Sequence, residues 1–487
     1  MEGKVAKNTA YLVAAFVGQK ILSFVYFTLA ARSVGIEGAG KYVAATAFTT
    51  IFSVFVDLGL SNILVRETAK DRDRAGEILS NVLGIKAVLS VVTIAAVALT
   101  ARLLGYDGDT LLMITIASAV MVLDSIHLVF YAVMRGFQDL RYEAVGVVSG
   151  QLVTILAGGI FIFILKLPLP FLIVALLLGS TWNVIWSWRS LTGHFPVQPT
   201  LKLHLPTVKL LASITAPFAL AGIFTRVYSY LDSVMLSRLA TNAELGAYGV
   251  AYKLTFAFQF LPMSFAAAVY PAMAEYYVSD RNKLGSTFAA SLKYLLIAVV
   301  PLACGISTLA APLVAAVYGP TFSGAVLPLQ ILIFSLIFAF LYWPAGSMLN
   351  ACDRQGKNTT ILGITMGSNI LLNTWLIPRY GAVGAAWAAL AGNFVLWMGA
   401  MVATAGLATY NVRALLKTTL KIAFASSFMT VSLRLLMPSV PLLALIPVAG
   451  FIYFVVLIGV GGMSFKELQD LTAVFLRRGK KISDIVA

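Results

Sequence analysis

The chain contains 487 residues, of which 60% are hydrophobic and only 11% are charged. Soluble domains usually carry about 25% charged residues, so this composition excludes a water-soluble protein and indicates an integral membrane protein. The formal net charge of +15 does not indicate nucleic-acid binding, because Lys and Arg are scattered singly between apolar segments. The cysteines, Cys304 and Cys352, form neither a disulfide framework nor a metal-binding motif.

Apolar segments long enough to cross a bilayer core of roughly 30 Å recur along the whole chain. Backbone polar groups in lipid must be satisfied within their own segment, so these spans are predicted to be helices. We therefore predict an all-α polytopic membrane protein with about fourteen transmembrane helices. In chain order they are expected near residues 8–32, 43–64, 78–104, 110–134, 144–165, 170–189, 210–236, 246–273, 286–317, 324–350, 359–378, 382–407, 415–436 and 441–462.

The distribution of Lys and Arg predicts the orientation of these helices. If the N-terminus lies in the cytoplasm, most of the basic residues outside the spans fall in cytoplasmic loops, as the positive-inside rule requires. An even number of spans then places both termini in the cytoplasm, and the cell (plasma) membrane is the expected location. The segment 463–487 carries apolar residues at helical spacing followed by a basic cluster, which predicts a cytoplasmic amphipathic helix on the membrane surface.

A weak internal repeat divides the chain. A shift of 206 residues places Tyr11–Thr46 on Pro217–Tyr252 without a gap, and it aligns Ala15 with Ala221, Lys20 with Arg226, Arg32 with Arg238, Gly40 with Gly246 and Tyr42 with Tyr248. The repeat predicts two pseudo-symmetric six-helix bundles of the same orientation, as in many secondary transporters. We expect them at 1–190 and 210–408, with a cytoplasmic linker at 191–209 and two further helices at 409–462.

Three basic residues within the spans are candidates for binding an anion. An ionisable residue in a transmembrane helix is costly and is a functional candidate by default. Lys20 and Arg226 occupy equivalent positions on the first helix of each half, so both are predicted to line one central cavity; Lys253 is a third candidate. A guanidinium suits phosphate geometry particularly well. The alternative is that each cation pairs with a nearby acid and only holds helices together.

The acidic residues within the spans are candidates for ion coupling or gating. Asp232 could pair with Lys253, either as a structural bridge or as a gate. Asp57, Lys86 and Asp124 could neutralise one another, or an acid among them could bind a coupling H⁺ or Na⁺. No cofactor and no resident metal site are predicted. The sequence also lacks a GxxxxGK[ST] loop, so no ATPase activity is expected.

Four short motifs resemble the polysaccharide flippases of the multidrug/oligosaccharidyl-lipid/polysaccharide (MOP) exporter superfamily. They are the glycine-rich turn Gly35–Tyr42, the segment Asp57–Asn62 followed by Arg66 and Glu67, the segment Arg135–Gln138, and its second-half counterpart Leu349–Ala351. The resemblance covers essentially the whole chain.

This resemblance implies a transporter, and not an enzyme, that moves a polyprenyl-diphosphate-linked oligosaccharide to the outer leaflet by alternating access. We also expect contact with membrane lipids, a monomeric state and glycan polymerase or glycosyltransferase partners. Two alternatives remain at this point, a cation-coupled drug exporter and a lipid II-type flippase. A membrane enzyme is disfavoured because the predicted external loops are short.

Overall fold

In the computed structural model, residues 2–106, 108–201 and 203–469 are described, and within them the chain is almost entirely helical. The α-helices, numbered α1 to α15 in chain order, are Glu2–Asp57, Leu60–Lys70, Ala75–Leu103, Gly108–Gly136, Arg141–Gly159, Phe171–His194, Leu205–Leu239, Asn242–Phe256, Phe260–Ser279, Arg281–Thr308, Ala310–Tyr318, Val326–Ala351, Gln355–Thr404, Val412–Leu436 and Leu442–Gly459. A π-helical turn, Ile160–Ile164, extends α5.

The described residues contain 11 helical segments long and apolar enough to cross a membrane. This confirms the prediction of an all-α polytopic membrane protein, while the count of fourteen spans stays a prediction. Helices α1 and α13 contain 56 and 50 residues. At about 1.5 Å per residue each is much longer than a bilayer core. Both are interrupted by a glycine with positive φ, Gly35 at 72° and Gly381 at 51°, where two spans were predicted to meet.

The helices form two compact units, Met1–Gly249 and Val250–Ala487. In the first unit, α4 packs against α1, α2, α3 and α6, and α5 packs between α1 and α6. Its core contains fully buried side chains such as Leu64, Leu79, Val82 and Val129. Helix α7 packs against α1 within this unit. The proposed division into two six-helix bundles stays a prediction.

In the second unit, α12 packs against α9, α10 and α13, and α14 lies between α10 and α15. The hydroxyl of Tyr453, on α15, donates a buried hydrogen bond of 2.9 Å to the carbonyl oxygen of Ile297, on α10. The two last predicted spans therefore correspond to α14 and α15, and they share a core with α10. The predicted amphipathic tail is described only as far as residue 469, so most of it lies outside the described residues.

A reciprocal backbone contact joins residues that the 206-residue shift aligns. A Cβ atom added to Gly40 would collide with the carbonyl oxygen of Asn242, and one added to Gly246 would collide with the carbonyl oxygen of Ile36. The shift aligns Ile36 with Asn242 and Gly40 with Gly246. Each glycine therefore packs against the residue that lies four positions before the other glycine. We call this contact the glycine seam. It requires glycine at both positions because the opposing group is backbone and cannot rotate away.

Candidate functional site

The two cations predicted to bind an anion, Lys20 and Arg226, lie on α1 and α7 of the first unit. Both are exposed. Among the described residues, neither side chain takes part in an ion pair or hydrogen bond. Within this part of the chain, therefore, neither cation pairs with an acid to hold helices together. That Lys20 and Arg226 line one cavity stays a prediction.

The remaining residues of the predicted anion site and gate differ from one another in burial. Asp232 is buried on α7 and accepts a 2.8 Å hydrogen bond from the hydroxyl of Tyr248, which is itself fully buried on α8. Lys253 lies four residues beyond the end of the first unit and is exposed. The proposed role of Asp232 and Lys253 as a gate stays a prediction.

In the first unit, the buried Lys86 forms an ion pair with the half-buried Asp57. The ammonium of Lys86, on α3, is only 2% exposed and lies 2.5 Å from a carboxylate oxygen of Asp57. It also donates to the carbonyl oxygen of Ser125 at 3.1 Å and to its hydroxyl at 2.8 Å. Each charged group of the pair thus has further hydrogen-bond partners, which an ion pair removed from water needs. Sequence reasoning correctly grouped Asp57 with Lys86.

The Asp57–Asn62 motif has a local structural explanation. Helix α1 ends at Asp57, and the chain then turns through Leu58 and Gly59, both with positive φ, before α2 begins at Leu60. The Asp57 carboxylate accepts hydrogen bonds from the Gly59 amide at 3.2 Å and the Ser61 hydroxyl at 2.5 Å. The Asp57 carboxylate therefore stabilises the turn between α1 and α2, and it also neutralises the charge of Lys86.

Asp124 belongs to a second polar cluster, separate from the Asp57–Lys86 pair. Its carboxylate accepts a 2.6 Å hydrogen bond from the Ser180 hydroxyl and lies 3.2 Å from Nε2 of His127. The Asp124 side chain is 48% exposed, whereas that of His127 is buried. Within the described part of the chain, Nδ1 of His127 has no hydrogen-bond partner. Asp124 is thus more exposed than Asp57, and it contacts an imidazole and not an ammonium group.

The Arg135–Gln138 motif contains an ion pair that sequence reasoning missed. Arg135, at the end of α4, forms a two-point contact with Glu143, in the first turn of α5, and one of its two hydrogen bonds is 2.7 Å long. Glu143 is 1% exposed. Gln138 adopts a φ of 62° in the intervening turn. An arginine and a glutamate eight residues apart across a tight turn were the available signal, and they point to structure rather than transport.

Among the described residues, no group of three or more His, Cys, Asp or Glu side chains could hold a metal ion. The described membrane helices thus contain exposed cations, Lys20 and Arg226, and acids that are partly paired. Ionisable residues within membrane helices are candidates for binding charged ligands.

Comparison with known proteins places this chain in a family. The sequence profile of the "Polysaccharide biosynthesis protein" family matches residues 5–277, and the MatE profile matches residues 217–375. The chain belongs to the polysaccharide biosynthesis protein family. These matches confirm the predicted membership of the MOP flippases and transporters. They also confirm the prediction of a multi-pass membrane protein.

Two curated relatives and one solved structure illustrate the similarity. The chain is 23% identical to the "Probable low-salt glycan biosynthesis flippase Agl15" of Haloferax volcanii, over 78% of this chain and 79% of the relative. It is 22% identical to the "Capsular polysaccharide biosynthesis protein CapF" of Staphylococcus aureus, over 80% and 96%. The lipid II flippase MurJ in an inward closed conformation superposes with a TM-score of 0.74 at 14% identity, covering 96% of this chain and 99% of MurJ. This family member therefore has a MurJ-like fold.

Proposed function

We propose that this protein moves a polyprenyl-diphosphate-linked oligosaccharide from the cytoplasmic to the outer leaflet of the plasma membrane by alternating access. The observation that carries the proposal is the presence of two exposed cations without ion-pair partners among the described residues, Lys20 and Arg226, in membrane helices of a polysaccharide-family chain. A cation in such a position is costly unless an anion uses it. A diphosphate supplies that anion, and a guanidinium can bind it in two-point geometry.

Named relatives support the substrate class. The relatives include proteins named as a glycan biosynthesis flippase and a capsular polysaccharide biosynthesis protein. In our proposal the protein carries out no bond-making chemistry. It acts as a monomer with both termini in the cytoplasm, it receives its substrate from glycosyltransferases, and it delivers that substrate to a glycan polymerase.

Ion coupling is part of the proposal, with H⁺ or Na⁺ as the coupling ion. Asp57 is the weakest of the three acidic candidates because its charge is already neutralised by Lys86. Asp124 is better placed, since its carboxylate is half exposed and contacts His127. Asp232 is the third candidate, a buried acid that accepts from a tyrosine hydroxyl. Neutral substitutions at Asp124 and Asp232 should each abolish ion-driven accumulation if that acid is the coupling site, whereas Asp57→Asn should act mainly through stability.

The direct test is translocation in proteoliposomes that contain the purified full chain. A fluorescent polyprenyl-diphosphate oligosaccharide should become accessible on the far side of the membrane, and Arg226→Gln and Lys20→Gln should each slow this step. Arg434→Gln is the matched control, because Arg434 is an exposed arginine at the end of α14. Wild-type rates in the double variant Lys20→Gln/Arg226→Gln would refute the anion site.

A drug exporter is the second candidate, because the MatE profile matches residues 217–375. It predicts efflux of a cationic dye that depends on Asp232 or Asp57, and no movement of the lipid-linked sugar. A lipid II-type flippase would move the same diphosphate group with a peptide-bearing sugar, so parallel assays with both lipid substrates distinguish it from the leading proposal.

A further inference from the structure

An apolar groove lies on the first unit, and neither Lys20 nor Arg226 lines it. It has a volume of about 580 Å³ and opens between α3, α4, α6 and the segment that follows α6. Its walls are almost entirely apolar, and they include Leu83, Ile126, Phe130, Ile185, Trp188 and Leu201. The volume falls within the range of roughly 300–1,000 Å³ typical of small-molecule sites.

One wall of the groove is the linker that leads to α7, and side-chain hydrogen bonds hold this linker in place. The hydroxyls of Ser80 and Thr200 lie 2.8 Å apart. The amide of His204 donates to the side-chain oxygen of Asn81 at 2.7 Å. Both ties run from α3 to the linker, so the groove is a defined part of the fold.

Tryptophan residues along the groove indicate that it lies near the membrane interface. Trp188 is 44% exposed and packs edge-on against Phe130 at 5.7 Å between ring centroids. It lies six residues before the end of α6, and Trp182 and Trp186 precede it on the same helix. Tryptophan is enriched where membrane helices meet the headgroup region. The apolar walls therefore face acyl chains, and the opening lies at headgroup depth.

Among the described residues that line the groove, Arg189 is the only cation. Arg189 lines it and is exposed, and among the described residues its guanidinium has no ion-pair or hydrogen-bond partner. An apolar groove with a cation at its headgroup end is complementary to one kind of molecule abundant in a bilayer, a lipid with an apolar chain and an anionic headgroup.

We propose that this groove binds one anionic membrane phospholipid, with an acyl chain against Phe130, Ile185 and Trp188 and the headgroup phosphate on Arg189. The bound chain would complete the packing between α6 and the linker. The proposal assigns a structural lipid to the surface of the first unit and does not depend on the transported substrate.

The experiment uses the purified full chain in vesicles that contain a photoactivatable phosphatidylglycerol, with photoactivatable phosphatidylcholine as the neutral counterpart. Peptide mapping should place phosphatidylglycerol adducts in 126–130, 184–189 and 199–201. Arg189→Gln should reduce this labelling at least about tenfold. Arg413→Gln, a matched exposed arginine on α14, should leave it unchanged.

Each alternative result overturns the proposal. Equal labelling by both lipids would mean that the groove does not select a charge. Loss of labelling in Arg413→Gln as well would indicate a general effect of protein charge. Preferential labelling by a photoactivatable polyprenyl phosphate in competition with phosphatidylglycerol would assign the groove to the lipid carrier instead. The expected result includes a normal purification yield of Arg189→Gln, so that misfolding does not explain its lost labelling.

Discussion

Cations occur within the helices of the first unit in two contrasting settings. Lys86 is buried and donates to Asp57 and to both oxygen atoms of Ser125. Lys20 and Arg226 are exposed and have no polar partner among the described residues. A positive charge thus stabilises helix packing at Lys86, whereas the charges of Lys20 and Arg226 are available to bind a ligand. The contrast separates a structural cation from candidate ligand-binding cations more clearly than sequence position does.

If this contrast is correct, substitution of Lys86 should have the largest effect on stability. Lys86→Met leaves Asp57 without its cation, and breaking a fully buried ion pair costs about 3–5 kcal/mol. Because the Asp57 side chain is 28% exposed, the free energy of unfolding in mixed micelles should fall by up to that amount. The double variant Lys86→Met/Asp57→Asn should recover part of the loss, because no unpaired charge remains. A loss no larger than that of a surface substitution would contradict the structural role.

The glycine seam should produce the next largest effect, because it fixes α1, which carries Lys20, beside the start of α8. The added methyl group of Gly40→Ala meets a backbone carbonyl, and overpacking of this kind costs about 1–3 kcal/mol. Gly18→Ala is the matched control on the same helix, since nothing lies within 4 Å of its added Cβ. Equal stability of the two variants would show that the seam is not tightly packed.

A pair of intermediate exposure should give a smaller, pH-dependent effect. Glu467 follows α15 and contacts Lys293 at 2.6 Å, while Glu467 and Ser464 form a reciprocal capping box. Burial opposes ionisation of Glu467, but the hydrogen bonds from Lys293 and Ser464 outweigh it and hold the pKa below its ordinary value. The contribution of Glu467 to stability is therefore present above the ordinary carboxyl pKa, and it is lost as the pH falls through the lowered pKa of the folded protein.

The expected size of this contribution is about 1 kcal/mol or less, because both side chains are partly exposed. Proteolysis of the C-terminal segment should accelerate below about pH 4 in the wild type. Glu467→Gln should be cleaved faster at neutral pH and should lose most of this pH dependence. A wild type with no change in cleavage between pH 6 and pH 3 would refute the stabilising role of this pair.

Much of the fold could be predicted from the sequence, because hydrophobic length determines membrane helices. The breaks at Gly35 and Gly381 were also predicted, since turn-forming residues lay there. The pairing of Asp57 with Lys86 followed from neighbouring spans. The contact of Asp124 with Ser180 did not, because it depends on how α4 rotates against α6. The Arg135–Glu143 pair was missed because it joins two helix ends across a turn, and the positions of the spans do not predict which side chains meet there.

The central claim is that Lys20 and Arg226 serve an anionic ligand and not the fold. The most direct measurement compares the affinity of the wild type and of Lys20→Gln/Arg226→Gln for a soluble short-chain polyprenyl diphosphate, with unfolding measured on the same samples. We predict at least a tenfold loss of affinity, about 1.4 kcal/mol, and a change in unfolding free energy within about 0.5 kcal/mol. Unchanged affinity, or a stability loss as large as that of Lys86→Met, would contradict the claim.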